Sequence, residues 1–289
     1  MAASIVRELL DAGIHFGHRS SRWNPKMAPY LYGKRNAIHI IDIRETLRGL
    51  LRARKFITQL VSRGGDVLFV GTKRQAREIV QRHTERCGMH YVTERWLGGT
   101  LTNFRTIRSR LARLEELENL MSSPEWETGY SKKMKSMLSR ELAKIRRNLE
   151  GIRRMGRLPG ALILIDVRKE MNAVREARAM NIPTVALVDS DSDPELADII
   201  IPGNDDAMRA IELMMRELAD AVEEGKKARP EAPEATVAEA RDFREGRTDG
   251  GRGRRMRREP RERGPEEAPR PPLPVAAEAP AAGESAPTA

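Results

Sequence analysis

Four segments bring together residue types that could do chemistry. RWLGGTLTNF, Arg95 to Phe104, is followed by Arg105; the two arginines supply charge, and Trp96 and Phe104 supply aromatic surface. Gly98 and Gly99 let the backbone turn there, and Asn103 can cap the helix that starts at this point. HFGHRSSRWNPKM, His15 to Met27, repeats the mixture: His15, Phe16 and Trp23 offer stacking faces, while Arg19, Arg22 and Lys26 offer phosphate contacts. Phe16 and Trp23 would serve as readily as apolar anchors of an irregular stretch. GTKRQAR, Gly71 to Arg77, falls where a strand gives way to a helix, a natural anion site that Lys73, Arg74 and Arg77 would strengthen. Its alternative is a solvated first turn. VDSDSDPE, Val188 to Glu195, sets Asp189, Asp191 and Asp193 on alternate positions after a strand, and Asp166 ends another.

Two chemistries compete for these residues. Arginine interleaved with aromatic surface suits nucleic acid. The carboxylates could instead hold Mg²⁺ in a phosphotransferase that uses Asp189 or Asp191. Against this, no Lys or Arg within Val188 to Glu195 would hold a substrate phosphate, and Asp205 and Asp206 in PGNDDA would repel one. An acidic turn, with Asp193 capping a short helix before Glu195, accounts for the same residues. His15 and His18 have the spacing of a metal pair, but no Cys or further His stands nearby to complete the set, so no metal is expected. GTKRQAR lacks Gly-rich phosphate-loop spacing, so no nucleotide cofactor or other small-molecule ligand is expected.

The chain carries 52 Lys and Arg against 42 Asp and Glu, a formal net charge of +10, and the sign changes along its length. Residues 1–103 hold 18 basic and 8 acidic side chains, residues 104–157 hold 14 and 7, but residues 158–225 hold 6 and 15. The basic part suits phosphate; the acidic part suits solvent, cations or a basic protein. One cysteine, Cys87, excludes an intramolecular disulfide and a zinc site built on paired cysteines. No stretch approaches the roughly 18 apolar residues of a membrane span, and the first residues lack a signal-peptide pattern. A soluble, cytoplasmic protein is expected.

The elements that must position these segments follow from periodicity. Apolar runs at Ala37–Ile43, Asp66–Thr72, Ala161–Val167, Thr184–Asp189 and Asp198–Gly203 read as strands, with a short one near Tyr91. Helices are predicted from Ser4 to Ala12, from about Glu45 to Ser62, up to Arg86, through Met180, and from Asp205 to Glu224; Gly13 to about Asn36 reads as irregular. Continuous apolar strands alternating with helices predict a parallel sheet covered on both faces, one doubly wound α/β domain over residues 1–225. Within 104–157, Ile107, Leu111, Leu114, Leu117 and Met121 form one narrow stripe, and Leu138, Leu142, Ile145, Leu149 and Ile152 another. The stripes predict an inserted coiled-coil hairpin with helices roughly 25–35 Å long; two ordinary core helices are the alternative. Residues 226–289 hold ten of the 17 prolines among Arg, Glu, Gly and Ala, which predicts a disordered tail. Its run from Arg247 to Glu259 reads as a solvated extension or a loose RNA contact.

GIHFGHRSSRWNPKMAPYLYG, IHIIDI, FVGTKRQA, RWLGGTLTNFRTI, LPGALILIDVRKE, IPTVALVDSDSDP and IPGNDDA resemble, in order and spacing, the blocks of the bacterial small-subunit ribosomal protein 2 family. The resemblance covers about residues 4–224. It implies a flavodoxin-like α/β domain with a coiled-coil hairpin, and a non-enzymatic role in translation at the solvent side of the small ribosomal subunit, near the junction of head and body. It also implies late assembly and, as partners, small-subunit rRNA, neighbouring ribosomal proteins and the large mRNA-capturing ribosomal protein 1. Ser190, Asp191 and Ser192 depart from the family's usual Thr, Asn and Cys or Ser, adding a carboxylate to a turn. The RNA-binding candidates are Arg19, Arg22, Trp23, Lys26, Lys73, Arg74, Arg95, Arg105 and Arg108. Phosphate contacts position without reading sequence, so specificity would come from rRNA shape and protein neighbours.

Overall fold

A computed structural model describes residues 2–124, 126 and 129–229. Five strands, β4 (Val67–Val70), β5 (His90–Val92), β6 (Ala161–Ile165), β7 (Thr184–Val188) and β8 (Ile199–Pro202), form a parallel sheet in the order β5-β4-β6-β7-β8. Counted along the chain this order is second, first, third, fourth, fifth, as in flavodoxin-like doubly wound sheets. Alternate side chains of each strand enter opposite layers, so an unbroken apolar run serves both. Phe69, Ile163, Val185 and Ile201 face one core; Leu68, Leu162 and Ala186 face the other.

The first core is closed by α2 (Ile43–Ser62), α3 (Arg77–Cys87) and α7 (Met208–Lys227), through Leu50, Ile57, Ile79, Val80, Met214 and Leu218. Leu9 of α1 (Ala2–Asp11) packs into the same core. Asp42 caps α2 by accepting from Arg44 N at 2.8 Å. Gly49 lets α2 lie directly on β8, because a Cβ there would run into the Ile200 carbonyl. The second core is closed by α4 (Phe104–Ser122) and α6 (Met171–Ala179), through Ile107, Leu111, Val174 and Ala177.

The first strand of the expected alternation lies elsewhere. Ile38–Ile41 (β3) pairs antiparallel with β1 (Phe16–Arg19) and β2 (Leu31–Arg35) in a separate sheet of order β1-β3-β2. The stretch read as irregular therefore contains two strands, with a 3-10 turn at Pro25–Tyr30 between them. Arg35 pairs with Ile38, leaving Asn36 and Ala37 as a two-residue turn with φ of 50° and 60°. Positive φ at both positions is the geometry whose twist suits a hairpin.

Between β5 and β6 the chain runs out along α4 and returns along α5 (Lys132–Leu149), and the two helices pack on each other. The stripe positions Ile107, Leu111, Leu114, Leu117, Leu138, Leu149 and Ile152 are the buried ones. Asn103 stands at the start of α4 without making a side-chain cap; its Oδ1 instead accepts from the Thr106 hydroxyl at 2.8 Å. Helix α7 runs to Lys227, past the boundary expected at 225. From residue 230 on, the expected tail with its Arg247–Glu259 run lies outside the described residues.

Candidate nucleic-acid interface

The loop joining β5 to α4 is held by one carboxylate. Glu176, on α6, accepts from Trp96 Nε1 at 2.9 Å and Gly99 N at 2.8 Å through Oε1. Through Oε2 it accepts from Leu101 N at 2.9 Å and from Thr102 N and Oγ1 at 3.3 Å each. Burial pushes this carboxyl up, but the Trp96 indole and the loop amides outweigh it and hold the pKa below the usual range. Trp96 is consequently a core residue, 7 % exposed, and gives RNA no aromatic face. Sequence reasoning placed Trp96 on the surface because Glu176 lies 80 positions away. Arg95, Arg105 and Arg108, on either side of this loop, are exposed and make no ion pair among the described residues.

The N-terminal segment supplies a second set. Arg19 and Arg22 are exposed. Trp23 is 36 % exposed and stacks on His39 with ring centroids 4.9 Å apart, and Phe16 is 48 % exposed, so neither anchors the segment. That role falls to Met27, fully buried. Lys26 reaches Asp193 at 2.9 Å and Glu195 at 2.5 Å, and Asp193 caps the short Pro194–Leu196 turn.

The carboxyl ends of β4 and β6 form the crevice where sheets of this order usually take a ligand. Here it is filled by the chain's own charges. Lys73 lies 2.7 Å from Asp205, 2.6 Å from Asp206 and 3.6 Å from Asp166. Burial opposes the charge on Lys73, but these carboxylates override it and raise its pKa. Arg77 is similarly engaged by Glu94 at 3.0 Å, leaving Arg74 as the exposed cation of GTKRQAR. Burial, with Asp166 and Asp189 nearby, raises Asp205 to about 7. His18 Nδ1 lies 3.0 Å from Asp189, and this contact lifts its pKa to about 9. One ligand atom each from His18, Asp189 and Asp205 fall within 4.8 Å of one another, a nitrogen-and-carboxylate set that could hold a divalent metal. His15 is not part of it. Sequence reasoning looked for Cys and His beside His18, whereas the fold supplies aspartates from two distant strand ends.

The acidic portion does not simply face away. On α7, Glu217 and Glu224 pair with Arg54 at 2.7 and 2.6 Å, Asp220 pairs with Arg86 at 2.5 Å, and Glu212 pairs with Arg82 and His83. Arg54 of α2 and Arg82 and Arg86 of α3 are thus neutralised from within.

A family model described as ribosomal protein S2 matches residues 9–225. A small ribosomal subunit protein uS2 from Rhodopirellula baltica is 62 % identical over 226 residues, covering 78 % of this chain and 86 % of that protein. The uS2 of Thermus thermophilus is 54 % identical over 217 residues, 75 % and 84 % of the two chains. The chain belongs to the ribosomal protein S2 family. S2 proteins are structural and non-enzymatic. Asp189 is buried against His18 and Ser190, and Asp191 pairs with Arg168 at 2.9 Å. The phosphotransferase reading of Asp189 and Asp191 is set aside. Among the described residues of this S2 chain, no helix is long and apolar enough to cross a membrane.

Proposed function

We propose that this chain, a structural ribosomal protein binding rRNA and neighbouring proteins in the small subunit, meets rRNA through two surfaces. One is the loop and first turns of α4, with Arg95, Arg105 and Arg108; the other is the segment holding Arg19, Arg22 and Trp23. One observation carries the reading. These arginines are exposed and make no ion pair among the described residues, whereas Arg54, Arg82 and Arg86 are matched by α7. Arg74 joins them as a lone exposed cation, while Lys26 and Lys73 act chiefly within the protein. The buried stripes of α4 and α5 support a coiled-coil hairpin that carries charge outward, and the tail's composition supports disorder. Docking of the large ribosomal protein 1 belongs to the same reading; exposed Leu10, Phe16 and Tyr32 around the small sheet supply apolar surface for a protein partner.

Co-sedimentation with small subunits lacking the protein tests this, with bulk RNA as competitor. Saturation near one copy per subunit is expected. Charge reversal at Arg22, Arg105 and Arg108 should weaken binding and flatten its salt dependence, by about one unit of slope for each phosphate no longer neutralised. Unchanged occupancy across the salt titration would reject these assignments.

A further inference from the structure

The loop from Trp96 to Asn103 has no strand ladder to hold it. Its amides at Gly99, Leu101 and Thr102 instead converge on Glu176, which also takes the Trp96 indole and the Thr102 hydroxyl. Converging backbone amides form a concavity for an anion. Here the protein fills it with its own carboxylate. A carboxylate offers about four lone-pair sites, and five donors use them fully, so no acceptor site is left for a further donor. Gly99 takes φ of 90° to make the turn, and Asn103 N closes it by donating to Gly99 O at 2.9 Å. Arg95 immediately precedes this loop, and Asn103 leads directly into the first turn of α4, which carries Arg105.

We propose that Glu176 is a positioning residue for RNA binding: it never touches RNA, but by pinning the 96–102 loop it sets the spacing and direction of Arg95 and Arg105. The inference rests on the reading that those arginines meet phosphate. Two long flexible cations on a mobile loop would each have to be ordered on binding, whereas a pinned loop presents them already spaced.

Glu176→Gln keeps the shape of the side chain but replaces an accepting oxygen with an amide donor that faces other donors. In E176Q, hydrogen exchange at Gly99, Leu101 and Thr102 should rise at least about tenfold, while strands of the parallel sheet keep their protection. Affinity for small subunits lacking the protein should fall about tenfold, with a salt slope shallower by about one. In an Arg95→Ala/Arg105→Ala background, E176Q should cost little more, because its effect passes through those arginines. Faster exchange with unchanged affinity and slope would overturn the inference and leave Glu176 a purely structural residue. If R95A/R105A itself leaves binding unaltered, the reading of the arginines fails instead. Should E176Q not fold, Trp96→Phe, which removes a single donor, must show the same coupled changes at smaller amplitude or the inference falls.

Discussion

Lys73 Nζ sits 2.7 Å from the carboxylate of Asp205, 132 positions later in the chain, and Asp205 is 1 % exposed. A cation from the end of β4 thereby neutralises a buried anion delivered after β8, fastening opposite ends of the sheet's connectivity at one point. Removing one member of a buried pair leaves the other charge stranded, which typically costs about 3–5 kcal/mol. Asp205, already raised to about 7, can take up a proton instead, so Lys73→Met should lower stability to urea by less than that, and by more at pH 8 than at pH 6, while the salt slope of subunit binding by the folded protein stays as in the parent. A shallower slope with unchanged stability would show that Lys73 contacts phosphate after all.

Gly49 should resist replacement. Alanine is the better helix former by about 1 kcal/mol, so on propensity alone Gly49→Ala would stabilise α2. The added methyl meets the Ile200 carbonyl, which belongs to the sheet backbone and cannot swing aside. Overpacking of this kind typically costs about 1–3 kcal/mol, so the urea midpoint should fall. Gly33→Ala, on β2 with open space around it, provides the control and should shift stability by less than about 0.5 kcal/mol. A rise in midpoint for G49A would mean that α2 and β8 do not touch there.

Cys87 is 3 % exposed, and burial pushes its thiol up to about 11. The thiolate is the reactive form, so alkylation of the folded protein at pH 8 should be at least about 100-fold slower than in urea. Because it is the only cysteine, the label reports on α3 alone. Labelling at equal rates would place Cys87 on the surface.

The depressed pKa of Glu176 has a definite sign. A carboxylate held below its unfolded value contributes stability above that value and loses it as pH falls through the folded one. With Trp23 and Trp126 changed to Phe, the fluorescence of Trp96 should stay constant from neutral pH down to about 4.5 and change only below it. A transition near pH 6 would contradict the hydrogen-bonded carboxylate.

The parallel core was legible because β4, β6 and β7 are short apolar runs between helical stretches, and burial on both faces demands such runs. Ile38–Ile41 has the same local pattern, yet its partners are β1 and β2. Apolar character marks a strand but does not say which strand it joins. The exposure of Arg19, Arg22, Arg95, Arg105 and Arg108 was legible from their charge. The surroundings of Trp96 and Lys73 were not legible because Glu176 and Asp205 reach them from 80 and 132 positions away, and only folding reveals such partners. Of the two stripes, Leu114, Leu117 and Leu138 are buried as their spacing predicts, while Ile107, Leu111, Leu149 and Ile152 owe their burial also to the sheet's second core.

The pairing of α7 with α2 and α3 bears on selection among polyanions. A phosphate approaching Arg54 or Arg86 must displace Glu217, Glu224 or Asp220, exchanging one anion for another with little electrostatic gain. A phosphate approaching Arg105 or Arg108 displaces only loosely held counter-ions, whose release drives binding. On the proposed reading, helix α7 works as a resident competitor: it withholds Arg54, Arg82 and Arg86 from stray RNA and leaves Arg105 and Arg108 to meet phosphate, before any nucleotide is read.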